Sequence, residues 1–449
     1  MSSSINLFEL AKLTPAARDG LLARAESDLS AFLEPARRII EAVRAEGDAA
    51  VVRLAREIDR VELDPARLVA SEEEFAAAER ELEPEVKDAI RYAVDNIRRF
   101  HERQKPEPMW LMEIRPGALA GERWTPIPSV ACYVPRGKGA FPSVMMMTTV
   151  PAVVAGVPEI VVLTPPTPEG GIDAASLFAA RTAGVAKVYR LGGAVAVAAA
   201  AYGTASVPRV AKIVGPGSPW VVAAKRLVAD RIDTGLPAGP SEAIVLADAT
   251  ADPHLAALDL LIEAEHGPDS SAFLVTDSPE LAAAARQRLP ELIGRLGEQR
   301  RGYVEAVLSG PRGGIVLAPS WDEALRFVND YAPEHLEVLS AEPLQHLGGI
   351  QHAGEILLGG HTPITIGNFC LGPDCVLPTG GWARTWSALG VHDFMKRTSL
   401  GHVTAAGYPE LARHAGVLAR YEGFEAHAQA LSELREELGG EAEATSVSP

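Results

Sequence analysis

The chain has 449 residues, 47% hydrophobic and 22% charged, an ordinary composition for a globular protein and too long for one simple core. Its formal charge of −17 argues against nucleic acid or an anionic membrane as the main partner. The three cysteines, Cys132, Cys370 and Cys375, make no disulfide framework and fit a reducing compartment. The opening segment "MSSSINLFELAKLTPAARDG" lacks a basic stretch followed by an apolar one, so the expectation is a cytoplasmic protein without a secretory signal.

The first hundred residues read as helical. "PARRIIEAVRAEGDAAVVRLAREID" and "EPEVKDAIRYAVDNIRRFHERQK" both carry apolar residues at spacings of three and four. From about Thr125 short β-rich runs alternate with alanine-rich helical ones: "SVACYVP", "EIVVLTP", "KVYRLGG" and "RVAKIVGPG", with stretches such as "AVAVAAAAYGT" between them. The apolar segment "VMMMTTVPAVVAGVPEIVVL" is broken by Pro151, Gly156, Pro158 and Glu159, so it reads as buried helix, turn and strand and not as a membrane span. A second series follows in "EAIVLAD", "SAFLVTD", "GGIVLAP", "LEVLS" and "GEILLGG". Strand then helix, repeated, predicts βαβ units and mainly parallel sheets, with a crossing point near "DTGLPAGPSEA". After about Gly390 the pattern reads as helical to a frayed tail, "GGEAEATSVSP".

Several segments could carry chemistry. "VGPGSPWVVAAKRLV" and "RLGGAVAVAAAA" are strand, glycine turn and helix, in which Gly215, Gly217, Gly192 and Gly193 could bring backbone N–H groups to an anion. Neither is a GxGxxG fingerprint, and a tight turn explains them equally well. In "HLAALDLLIEAEHG", Leu255, Leu258, Leu261 and Ile262 form an apolar face, with Asp259, Glu263 and His266 on another. Glu263 and His266 could hold one divalent ion, although for an isolated pair a solvated helix end is the better account. "YAPEHLE" places Glu334 and His335 after Pro333, as in a helix first turn, where the positive helix end would keep the imidazole neutral. A capping glutamate beside a packed histidine is the alternative. The glycine- and proline-rich stretch Gly359 to Thr385 reads as a long functional loop. Cys370 and Cys375 lack partners at zinc-finger spacing and read as buried small hydrophobes; a catalytic thiol has no visible partner. His101, His254, His346, His352, His361, His392, His402 and His414 read as solvated or packed.

Taken together, "CYVPRGKGAFPS", "VGPGSPWVVAAKRLV", "AGPSEAIVLAD", "AEHGPDS", "YAPEHLE", "VLPTGG" and "HDFMKRTS" occur in the order and spacing of histidinol dehydrogenases, over about residues 30 to 435. The resemblance implies an α/β fold of two Rossmann-like domains with mainly parallel sheets, helical N- and C-terminal extensions, and an intertwined homodimer. The implied boundaries are a helical arm over 1–29, a first α/β domain over 30–132 and 243–389, a second over 133–242, and a helical extension over 390–449. It implies one zinc ion per subunit, NAD as cofactor, and a small polar alcohol oxidised through its aldehyde to the carboxylate, as L-histidinol is to L-histidine. By position His335 would be the general base and Glu334 would activate water. The metal set would be Glu263, His266, Asn368 and His427, the last from the partner subunit. Ser241 and Glu422 fall at substrate-contact positions, Tyr133, Val195 and Ser218 at NAD-contact positions.

This chain departs from the family pattern in paired ways. Glu263 stands where the family usually has Gln and Asn368 where it has Asp, so one carboxylate is retained in the metal set. Cys375 replaces a histidine, and Val195 and Ser218 replace Gln and Asn. Altered polar groups in a pocket discriminate between substrates, so a homologue oxidising another polar alcohol (a hydroxylated sulfonate, a polyol or an amino alcohol) is the alternative. A non-catalytic ligand-binding descendant is a second, and a thiol-based aldehyde dehydrogenase a third.

Overall fold

The computed structural model describes residues 5–24, 29–136, 139–431 and 435. It separates into two compact units, Met1–Lys105 with Ile127–Phe394, and Pro106–Pro126 with Met395–Pro449.

The larger unit begins with strand β1 (Leu7–Glu9) and helix α1 (Pro15–Leu21), followed by α2 (Ser30–Glu46), α3 (Asp48–Leu54), α4 (Glu72–Glu81) and α5 (Pro84–Gln104). Gly47, at φ +60°, makes the break between α2 and α3 inside what reads as one periodic segment. In the smaller unit β2 (Met109–Arg115) and β3 (Ala118–Pro126) form an antiparallel pair. The larger unit then resumes as β4 (Ser129–Tyr133), α6 (Pro142–Ala155), β5 (Glu159–Thr164), α7 (Ala174–Ala183), β6 (Val188–Arg190), α8 (Gly193–Tyr202), β7 (Lys212–Val214) and α9 (Pro219–Val228). These strands make a parallel sheet in the order β6-β5-β4-β7.

A second series follows: β8 (Glu242–Ala247), α10 (Pro253–Ala264), β9 (Ser271–Thr276), α11 (Pro279–Gly294), α12 (Glu298–Leu308), β10 (Gly313–Leu317), α13 (Trp321–Tyr331), β11 (His335–Leu339), β12 (Glu355–Leu358) and α14 (Ile364–Phe369). It builds a parallel sheet in the order β1-β10-β9-β8-β11-β12. The smaller unit is completed by β13 (Met395–Val403), α15 (Tyr408–Tyr421) and α16 (Glu425–Gln429).

Alternation in β8 shows how the large sheet is buried. Ile244 and Leu246 pack with Phe273, Val275 and α13, while Val245 and Ala247 pack on the opposite face with α10, α11 and α12. Both faces are covered, as an all-parallel sheet requires.

Four sequence expectations are revised here. The N-terminal arm is not purely helical, because β1 pairs with β10 and extends the large sheet. Residues 36–68 share an apolar core with the small sheet, through Ala36, Ile40, Val43 and Val51 against Ala131, Val161, Leu163 and Ala196. The grouping of 30–132 with 243–389 therefore does not describe how that segment packs. The segment after Gly390 includes the nine-residue strand β13, paired antiparallel with β3 from Met395↔Pro126 to Val403↔Ala118. Its run "MKRTSLGHV" is mostly polar and exposed, with only Met395 and Leu400 partly buried, so it carries no alternating burial pattern to read. The stretch 359–385 is not all loop, since it contains α14.

Candidate active site

The candidate active-site residues of the larger unit gather at β8, β11 and β12 of the large sheet and at α10 and α14. Strand β11, "HLEVL", is buried throughout yet carries a histidine and a glutamate. Period two puts Leu336 and Val338 into the core beneath α13 and turns His335 and Glu337 to the other face, where α10 lies. That helix starts at Asp252, whose side chain accepts from the backbone N–H groups of His254 and Leu255, and Pro253 fills its first position. It is buried on nearly all sides, Leu258 excepted, so the apolar stripe read from the leucines is only part of its packed surface.

The solvated-helix-end account of Glu263 and His266 does not hold. Glu263 is 1% exposed, and its carboxylate oxygens meet His266 Nδ1 at 3.1 Å and the amide nitrogen of Asn368, on α14, at 2.7 Å. His266 Nδ1 also lies 3.2 Å from the carbonyl of Ile262. Burial alone would raise the Glu263 carboxyl. His266, His335 and the hydrogen bonds from Asn368 and Ser241 outweigh it and hold the group below its usual value, ionised.

Glu334 and His335 sit at the N-terminal end of β11 and not in a helix first turn. The chain enters from α13 through Ala332, in the left-handed region at φ +51°. Glu334 accepts from the backbone N–H of Glu242, at the start of the neighbouring β8, at 2.9 Å. Its other oxygen stands 3.8 Å from His335 Nε2. Nδ1 of His335 lies 2.5 Å from Glu355 Oε1. The expected neutral imidazole is therefore corrected: burial pulls its pKa down, but Glu334, Glu263 and Glu355 together push it up to about 10. Burial, with the negative Glu263 and Glu242 beside it, lifts the Glu334 carboxyl well above its usual range against the pull of His335. The cluster thus holds more protons at neutral pH than its separated groups would.

Sequence reading missed a supporting clamp. Glu242 pairs with Arg24 at 2.9 Å and accepts from the Gly380 N–H at 3.0 Å, while the Arg24 guanidinium stacks 3.3 Å over the Tyr331 ring. Arg24 in an otherwise ordinary N-terminal arm gives no signal of this in the sequence. Asp259, one turn before Glu263, faces Glu337; burial raises both carboxyls, and the charge of Asp259 raises Glu337 further.

The cofactor-contact candidates lie on or beside the four-stranded parallel sheet. Tyr133 ends β4 and its hydroxyl accepts from the Gly193 N–H at 3.1 Å. Gly215, at φ +108°, passes so close that a Cβ would stand 2.1 Å from the Tyr133 carbonyl, so only glycine fits there. The buried Lys225 ammonium donates to the Gly215 carbonyl at 2.7 Å. Strand order reverses between β4 and β7, and these groups sit at the carboxyl ends of those strands, where open α/β sheets place ligands. Ser218 is exposed at the start of α9, and Val195 is buried in the core of α8.

The remaining candidates divide as follows. Ser241, half-buried, precedes β8 and bonds to Glu263. Glu422 caps α15, and His427 lies exposed on α16 with its ring 5.0 Å from that of Phe424; both belong to the smaller unit. Among the described residues no group of three or more His, Cys, Asp or Glu side chains is assembled as a metal site. Within the larger unit the implied set brings together an ionised carboxylate, an imidazole and an amide, a donor combination that suits a divalent ion such as zinc. Cys375, where the family pattern has histidine, has its thiol held well above the usual range by burial and by Asp374, Glu355, Glu334 and Glu263, which makes it a poor nucleophile.

The histidinol dehydrogenase family pattern matches residues 22–435. The chain is 61% identical over 434 residues to "Histidinol dehydrogenase homolog 2" of Mesorhizobium japonicum, covering 97% of this chain and 99% of that protein. It is 50% identical over 432 residues to the histidinol dehydrogenase of Synechocystis sp., covering 96% and 99% respectively. The crystal structure of histidinol dehydrogenase from Elizabethkingia anophelis superposes with a TM-score of 0.91 at 28% identity, covering 98% of this chain and all of that one. The chain belongs to the histidinol dehydrogenase family of NAD-dependent oxidoreductases.

Proposed function

We propose that this chain oxidises a primary alcohol through the aldehyde to the carboxylate, with NAD as acceptor, zinc as metal and L-histidinol as the reference substrate. The observation that carries the reading is the buried pair Glu334–His335, both within electrostatic reach of Glu263 in the Glu263–His266–Asn368 group. In this reading Glu263, His266 and Asn368, with His427, hold the metal, which when bound supplies a Lewis acid for the substrate's heteroatoms. Because Asn368 gives its amide nitrogen to Glu263, its carbonyl oxygen is the donor left for the ion. His335 accepts the alcohol proton, and Glu334, once deprotonated, positions the water that attacks the aldehyde. The carboxyl ends of β4 and β7 would receive NAD, which when bound supplies the hydride acceptor.

Relatives named as homologues of histidinol dehydrogenase stand at higher identity than those named histidinol dehydrogenase itself. Together with Cys375, Val195 and Ser218, that supports a second reading in which the alcohol is a different polar one, such as a polyol, an amino alcohol or a hydroxylated sulfonate. Substitution separates the steps. His335→Asn should lower kcat for L-histidinol by about 10²–10⁴-fold, the usual contribution of a positioned acid–base group. Glu334→Gln should release aldehyde, trapped by semicarbazide, with one NADH per molecule in place of two. Unchanged kcat in His335→Asn would remove the proposed roles.

A further inference from the structure

Strands β11 and β12 run parallel with His335 directly opposite Glu355, so their side chains share one face of the sheet. Backbone bonds lock that register: the N–H of Gly354 donates to Pro333 O at 2.9 Å, and that of Glu355 to Glu334 O at 3.0 Å. The two side chains are 4% and 8% exposed and meet at 2.5 Å, through Nδ1. A second element is shaped around the same carboxylate. Gly367 on α14 passes behind it so closely that a Cβ there would stand 3.2 Å from each Glu355 oxygen. The next residue, Asn368, bonds Glu263. The Glu355 carboxylate is therefore seated between the imidazole and a glycine that leaves it room.

We propose that Glu355 is a positioning residue: its carboxylate holds the proton on His335 Nδ1, fixes the ring, and so presents Nε2 as the base toward the reacting alcohol. The step this serves balances with the hydride acceptor that the proposed function names. The alcohol O–H proton passes to Nε2 as the carbinol hydride passes to NAD, and the imidazolium formed is stabilised by the carboxylate on its other nitrogen. Nothing in the sequence pattern marks Glu355, since its strand reads simply as "GEILLGG". The inference rests on the role proposed for His335, and the test separates the two.

The charged groups facing His335 are Glu334 beside it, Glu263 from α10, Glu355 from β12 and, more distantly, Glu242 from β8. Only one of them touches Nδ1. Protein labelled with ¹⁵N-histidine, with His335→Asn used to assign the signal, should show the neutral His335 ring protonated on Nδ1. In Glu355→Gln its titration midpoint should fall by about 1–3 pH units, the effect of removing one adjacent opposite charge. Glu355→Asp, which keeps the charge but draws it back, should give a smaller shift in the same direction. An Nε2-protonated ring in the parent protein, or a midpoint unmoved in Glu355→Gln, would overturn the proposal. With L-histidinol as probe, kcat/KM of Glu355→Gln should drop about 10–100-fold, with KM little changed and the acid limb displaced to lower pH. If the parent protein does not oxidise L-histidinol, the substrate reading fails while the resonance still decides the role of Glu355.

Discussion

His335 is pressed by acidic groups from three directions, and its chemistry follows from that. A base must be unprotonated to accept a proton. An imidazole raised to about 10 by Glu334, Glu263 and Glu355 therefore gains the active form as pH climbs. The account predicts that kcat/KM rises through the alkaline range, as a pH–rate profile will show; a flat profile would mean the cluster does not control the rate. Cys375 sits among the same acidic groups with its thiol raised, so it should resist iodoacetamide in the folded protein at neutral pH. Rapid alkylation at Cys375, read by peptide mass spectrometry, would reopen the thiol-based alternative. Adjacency made Glu334 and His335 easy to single out, but their protonation could not be read from the chain. It depends on Glu263 and Glu355, separated from His335 by 72 and 20 positions in the numbering and brought together only by sheet and helix packing.

Element by element, the parallel strands were the most legible feature, because each lies in a run of apolar, often β-branched residues between turn signals. The segment from Val144 to Leu163 reads as helix, turn and strand, and folds as α6, a left-handed Gly156 and β5. Strands β2 and β13 were missed because their apolar residues do not alternate with a buried face. The sequence "HLEVL" holds a subtler clue: alternate polar residues in a strand buried on both sides must find partners within the protein. Glu337 faces Asp259, and burial together with the charge of Asp259 raises the Glu337 carboxyl so that it keeps a proton. A carboxyl whose folded pKa lies above its unfolded value lends stability that is complete below the unfolded value and declines as pH rises toward the folded one. Glu337→Gln keeps a neutral partner for Asp259 and removes that decline. Its melting temperature should therefore gain on the parent protein's between about pH 5 and 9. A constant difference across that range would show that Glu337 carries no bound proton.

At the scale of the molecule, the smaller unit leaves much apolar surface open. Met109, Trp110, Leu111, Met112 and Ile114 of β2 are all exposed, as are Val417, Leu418, Tyr421 and Phe424 around α15. Exposed apolar residues in this number mark an interface, and we propose that a second copy of the chain covers them. His427 and Glu422, carried on the same unit, would then serve the partner's site. Light scattering should give twice the chain mass of 47.5 kDa, and Trp110→Asp with Met112→Asp should lower it; a monomer with full activity would contradict the arrangement. The homodimer was implied by the family resemblance; composition and periodicity did not show the exposed surface, because exposed and buried apolar residues look alike in a sequence.

The most direct test of the central claim is the amount of NADH formed per L-histidinol consumed by the zinc-loaded protein at mildly alkaline pH. Two NADH per histidinol, abolished by a chelator and restored by zinc, is the predicted result. No NADH from histidinol, with zinc retained, would contradict it and point to a different polar alcohol for the same catalytic pair.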